Sequence, residues 1–190
     1  MAAGAAYPGL FFCFAAMVLL VIASVSSPTW NSVYFFKAAR AGQEVHYGVF
    51  GFTGSDTHVG YNFNSFLPGN ERLNKTIILN LTDALILHPI AAGLAGLAFL
   101  FGICGASYHR AGTVFMALAS ALAMLATLVA WVIDMVLFGI ARTQFRDAGF
   151  SAQYGNATWI TLGALVALLA GFCTSACGVF GSYRRRRDAF

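Results

Sequence analysis

The sequence predicts a mainly α membrane protein: a bundle of four transmembrane helices carrying a small extracellular antiparallel β-sheet. Three observations lead there. Of the 190 residues, 59% are apolar and only 9% are charged, whereas an average soluble domain carries about 25% charged residues. A chain this apolar cannot cover itself with a polar surface, so lipid is its solvent. Four apolar runs, at about residues 10–26, 85–104, 113–140 and 157–183, approach or exceed the roughly 20 residues that cross a hydrocarbon core. The one large polar stretch, residues 28–83, is rich in aromatic and β-branched residues with turn signals between them. The whole chain reads as a single tetraspan domain.

The first run, Leu10 to Ser26, follows a short uncharged segment. A signal peptide would carry a basic n-region, and none is present, so a retained span is expected. Pro28 to Asp83 then forms the large loop. Val33-Tyr34-Phe35-Phe36, Val45 to Thr53 and His58 to Phe66 are its strand-like runs, which predicts a sheet of about three strands from this loop alone. Pro68-Gly69-Asn70 breaks it, and Asn70 to Asp83 leads as a short helix into the second span. Residues 105–112 are a short connection, residues 141–156 a longer polar one, and residues 184–190 a tail that starts with four arginines.

That tail sets the expected orientation. Four spans put both termini on one side, and Arg184 to Arg187 directly after the last span place that side in the cytoplasm. The loops 28–83 and 141–156 then face outside, although Arg142 and Arg146 fall there against the count. The net charge of +4 comes mostly from the tail. It reads as a contact with anionic membrane lipid rather than with nucleic acid. The sequons at Asn74, Asn80 and Asn156 all lie in the outer loops. Asn74 is the expected glycosylation site, because the other two sit close to the membrane.

Asp134 is the one acid deep in an apolar run, and intramembrane acids are functional by default. At 1.5 Å per residue it lies about 32 Å from Thr113, near the far interface, with His88 about one turn inside the same boundary. The bland expectation is a solvated acid and a helix-capping histidine. The sharper one is a proton-sensitive latch in which Asp134 closes on a charged His88 and alkaline conditions open it. Gly163, Ala167, Gly171 and Ser175 repeat at a spacing of four and form a narrow face for close helix packing, within the bundle or against a partner. Ala119, Ala123, Ala126 and Ala130 make a similar face on the third span.

The cysteines Cys13, Cys104, Cys173 and Cys177 all lie in or beside apolar runs. This excludes a disulfide framework in the loop. Cys173 and Cys177 are candidates for palmitoylation near the cytoplasmic boundary, or else small core residues. His46 and His58 lack a third metal ligand of suitable type. No nucleophile elbow, phosphate loop or carboxylate pair is present, so no cofactor is expected, and neither an enzyme nor a transporter is the favoured class.

Several of these segments resemble the fungal PalI family of tetraspan proteins. Pro28-Thr29-Trp30 is similar to a claudin-type Pro-x-Trp, and His46 to Phe52 (HYGVFGF) to the family's Gly-aromatic segment. Leu81 to Gly93 (LTDALILHPIAAG) resembles the start of its second span, and Tyr154 to Trp159 (YGNATW) the start of its last. The resemblance implies a claudin-like architecture and an accessory role at the plasma membrane. In that role it would assist a larger polytopic membrane protein in ambient-pH signalling, or self-associate to organise eisosome-type membrane domains and affect cell-wall integrity. An auxiliary subunit of a wall synthase or transporter is a third form of the same role. The sequence departs from the family at two points. Thr53 stands near where the first of a loop cysteine pair is common, and the long cytoplasmic tail of many members is missing. The sheet is then left to packing and hydrogen bonds.

Overall fold

The computed structural model describes residues 6–40, 42–63, 73, 76–107 and 110–187, without the side chains of 6–7, 106–107, 110–111, 113 and 177–187. It is a bundle of four long helices with a three-stranded antiparallel sheet at one end. Helix α1 is Ala6–Ser24 and is followed by β1, Phe36–Arg40, and β2, Gln43–Tyr47. Helix α2, Thr76–Asp83, runs through a 3-10 turn at Ala84–Ile86 into α3, Leu87–Ser107. Helix α4 is Arg110–Asp147, β3 is Ser151–Tyr154, and α5 is Asn156–Arg187.

Three stretches, Thr76–Gly105, Val114–Asp147 and Asn156–Ala176, are long and apolar enough to cross a membrane, and Pro8–Ser24 is a shorter apolar helix. Bulky residues such as Phe11, Leu100, Leu118, Leu122 and Val166 point outward, as lipid-facing residues must. Alanines line the inner faces: Ala16, Ala91, Ala95, Ala123 and Ala164 form one buried cluster. Lipid tails supply no hydrophobic drive between helices, so association relies on close van der Waals packing, which small residues permit.

The sheet corrects one expectation. Its order is β2-β1-β3, so the third strand comes from the second connection and not from the first loop. Ala38 pairs with Val45 on one side and with Ala152 on the other. The stretch from His58 to Phe63 is irregular, and residues 64–66 lie outside the described residues. Alternation alone did not make His58 to Phe63 a strand, because β1 already has a partner on each side. The other two runs are also displaced. The first strand starts at Phe36, and the second ends at Tyr47, beyond which Phe52 makes one isolated bridge back to Tyr47. Between β1 and β2 a tight turn includes Gly42, whose φ of 84° suits glycine.

The first half of the connection expected at 141–156 is helix. Helix α4 continues through Arg142 to Asp147, and Ala141 and Phe145 are fully buried on its inner face. That amphipathic turn carries the chain up to β3. Gly155 then lets the backbone pass directly over Tyr34; any Cβ there would collide with the Tyr34 carbonyl oxygen. In this way β1 is clamped between the first loop and the start of α5. At the bundle end away from the sheet, Gly9 of α1 sits against Ser175 of α5.

Candidate functional site

The site begins with Pro89. Proline has no N–H, so the carbonyl one turn back, that of Leu85, loses its helical donor. Proline also disfavours regular helix at the residues before it, and here the chain tightens into the 3-10 turn Ala84–Ile86. At the end of that turn the Leu85 carbonyl still takes a backbone N–H, and His88 adds a side-chain donor: its Nδ1 lies 3.1 Å from the Leu85 carbonyl oxygen. That oxygen can only accept, so Nδ1 carries a hydrogen. The opposite ring nitrogen, Nε2, then points across the bundle to Asp134 Oδ2 on α4, also at 3.1 Å.

One proton therefore lies between imidazole and carboxylate, and the pair as a whole is neutral. Both side chains are 0% exposed. The expected solvated acid at the interface is thus corrected. Helix α4 runs on for more than three turns past Asp134, and the sheet covers what a bare bundle would leave open. Phe35, beside β1, sets its ring edge-on to His88 at 4.9 Å and stacks on Phe138 of α4 at 5.9 Å. The second carboxylate oxygen, Oδ1, has no hydrogen-bond partner among the described residues.

A second layer ties the loop to the same place. Thr82, fully buried at the end of α2, donates to the carbonyl of Tyr61 or Leu79 and accepts from the Tyr61 N–H at 3.2 Å. Tyr61 in turn donates its hydroxyl to the Gly48 carbonyl at 3.0 Å. Burial first, then the charges of Tyr47 and Asp134, push the Tyr61 hydroxyl well above the usual tyrosine range. It stays a neutral donor at any physiological pH.

Sequence reasoning missed two polar hubs. Asn156 opens α5 and reaches the first loop: its Oδ1 accepts from the Tyr34 N–H at 3.0 Å, and its Nδ2 donates to the Ser32 carbonyl at 2.8 Å. Thr53 stands where a loop cysteine is common in the resembled family. Its hydroxyl accepts from the His46 N–H at 3.3 Å and lies within 3.5 Å of Ser27 Oγ and Asn31 Oδ1. Neither residue stands out among many loop Asn and Thr, and only the position of Asn156 at the head of a span hints at it.

Other predicted residues fall as follows. Gly171 and Ser175 are buried against α1, where a Cβ on Gly171 would meet Cys13 Sγ at 3.3 Å. Gly163 is exposed and Ala167 half-buried, so the small-residue face turns outward toward its sheet end. Ala119, Ala123 and Ala130 are buried. Cys173 and Cys104 are exposed and Cys13 is buried, and the side chain of Cys177 lies outside the described residues. Asn74 also lies outside them. His46 stacks on Tyr34 at 4.2 Å, and His58 bonds the Asp56 carbonyl at 2.8 Å. Among the described residues, no three His, Cys, Asp or Glu side chains come together as metal ligands.

The model of the SUR7/PalI family matches residues 5–171. The chain belongs to the SUR7/PalI family. The match runs through all four helices and the sheet, so this is a membrane protein of that family with its tetraspan, claudin-like arrangement. No curated protein matches the chain. Among the segments that carried the resemblance, the His88-Pro89 pair now has a physical account in this SUR7/PalI fold: it follows a 3-10 turn at the start of the second span and ties that start to α4.

Proposed function

We propose that this SUR7/PalI protein is a non-enzymatic tetraspan of the plasma membrane that stabilises or positions a larger polytopic membrane protein. Both termini would be cytoplasmic and the sheet extracellular, following the tail arginines. One observation carries the reading: among the described residues, the hydroxyls of the serines and threonines buried in the bundle are taken up by local bonds. Ser24, Thr127, Thr161 and Ser175 each donate to a carbonyl one turn back at 2.7–3.0 Å. His88 and Asp134 bond each other through Nε2 and Oδ2, and Oδ1 stays without a partner among the described residues. What remains for a partner is an outward apolar helix surface and a sheet whose packing is rigid and aromatic. Purification of the tagged protein from its native membrane in mild detergent, followed by mass spectrometry, is the test. A stoichiometric polytopic partner supports the accessory role. A monomer with nothing bound overturns it, and a ladder of self-oligomers favours a claudin-like organiser of membrane domains that affects the cell wall.

The buried His88–Asp134 pair favours a second reading, a subunit that responds to ambient pH. The only proton between the two groups lies under the sheet, and the Asp134 charge also acts on the Tyr61 hydroxyl. Its loss would leave a buried carboxylate uncompensated, which is costly, and would loosen α3 from α4. Replacing His88 by Gln keeps a hydrogen bond but removes the titration. If the alkaline response of cells carrying this variant equals wild type, this second reading fails and the accessory role stands.

A further inference from the structure

Around the turn from α4 to β3 stand three arginines that the fold and the proposed role leave unused. Arg142 and Arg146 are one helical turn apart on α4, so both heads project on one face. Arg142 lies over the Tyr154 ring, 5.4 Å from its centroid, and Arg40 lies over Phe150 at 5.0 Å. The ion pairs of the described residues involve none of the three. The Nε of Arg142 is buried with no hydrogen-bond partner among the described residues. Stacking on a ring holds a guanidinium in one plane.

Their height along the bundle is informative. The outward apolar residues of α4 begin at Val114 and end at Ile140, so Arg142 and Arg146 stand directly above the apolar belt. Trp159, 64% exposed in the first turn of α5, marks the same rim, as tryptophans do at headgroup level. Below the two arginines, on their own face of α4, come Gly139, Val132 and Leu128. The Tyr154 hydroxyl covers Gly139, where a Cβ would come within 3.2 Å of it, and Val132 and Leu128 lower on the helix are half exposed. Two cationic heads thus stand over an apolar helix face.

We infer that this face is a binding site for one membrane phospholipid of the sheet-side leaflet, with Arg142 and Arg146 clamping its phosphodiester and an acyl chain lying along Val132 and Leu128. This explains why two arginines stand on the side that the tail arginines mark as the outer one. Planar, bidentate recognition of phosphate is the chemistry at which arginine excels. The inference does not depend on any protein partner.

Native mass spectrometry of the full chain in mild detergent tests it, with separate titrations of phosphatidylglycerol, phosphatidylcholine and diacylglycerol. Both phospholipids are expected to be retained and diacylglycerol lost. Arg142→Gln with Arg146→Gln should cut phospholipid retention about tenfold, the loss of one charge-assisted contact. Neutralising the four tail arginines should leave the phosphatidylcholine adduct in place. Should the double variant fail to purify as a folded species, Arg142→Lys decides, since it keeps the charge but not the fork. Unchanged retention in the variant that decides overturns the site, as does equal retention of diacylglycerol. Displacement by inorganic phosphate as effective as by added phospholipid would make it a free-anion site and overturn the lipid assignment.

Discussion

Around the sheet the core consists of Phe35, Phe36, Tyr47, Phe63, Phe138 and Phe145; between the helices below it consists of Ala16, Ala91, Ala95, Ala123 and Ala164. The two halves solve different problems. In the lower half, regular helices run side by side in lipid and each satisfies its own backbone, so only close approach is needed. In the upper half, irregular loop backbone must be joined to helix ends out of the lipid. Large rings fill the uneven space there, and side-chain hydrogen bonds from Thr82, Tyr61 and Asn156 take up the loose backbone groups. The His88–Asp134 pair sits at the base of the aromatic half, where a charge on either group alone would be most costly.

The sharpest way to break this contrast is at the junction itself. His88→Ala leaves Asp134 buried without its partner and should cost about 3–5 kcal/mol, read as the unfolding free energy in detergent micelles. Replacing both by leucine should restore most of that loss, because the penalty belongs to the uncompensated carboxylate. A double variant as unstable as the single one would mean the pair contributes by attraction instead.

Next come two opposite changes, one in each half. Phe138→Ala removes a ring stacked between Phe35 and Phe36 and should destabilise by about 3–5 kcal/mol. Its marker is weakened near-ultraviolet dichroism with helix content unchanged. Ala123→Leu in the lower half overfills a tight helix contact and should cost about 1–3 kcal/mol. The helices would be pushed apart while the aromatic signal stays. Equal effects of the two variants on that signal would erase the proposed division.

Smaller still is Thr82→Val, which keeps shape but leaves the Tyr61 backbone N–H without its acceptor, at about 1–3 kcal/mol. Hydrogen exchange of the Tyr61 amide should rise before that of the helices.

The least effect is expected on the exposed hairpin, where Lys37 and Glu44 pair at 2.7 Å. The hydrogen bond from Lys37 holds the Glu44 carboxyl below its ordinary range, and the same bond raises the Lys37 ammonium above its own. The contribution from Glu44 is present above its unfolded pKa and lost as pH falls through the lower folded one. That from Lys37 is present below its unfolded pKa and lost as pH rises through the higher folded one. The pair therefore acts only between those limits and is screened by salt. Glu44→Gln should leave the melting temperature unmoved at high salt, and a clear drop there would show the hairpin to be less exposed than it is drawn.

The membrane character, the number of long apolar helices and the presence of a small sheet were all legible in the chain, because hydropathy and residue type are local properties. The nearness of His88 and Asp134 could be anticipated from helical rise, since depth along a rigid helix is nearly a linear count. Their complete burial could not, because it depends on the sheet lying over them. Nor could β3 be found: SAQY is short and polar at alternate positions, and it becomes a strand only because Gly155 and Asn156 hold it beside β1. Pairing of strands across more than a hundred residues, and the proton shared beneath them, are properties of the assembled fold. They arise where backbone groups that no local element satisfies must find each other in space.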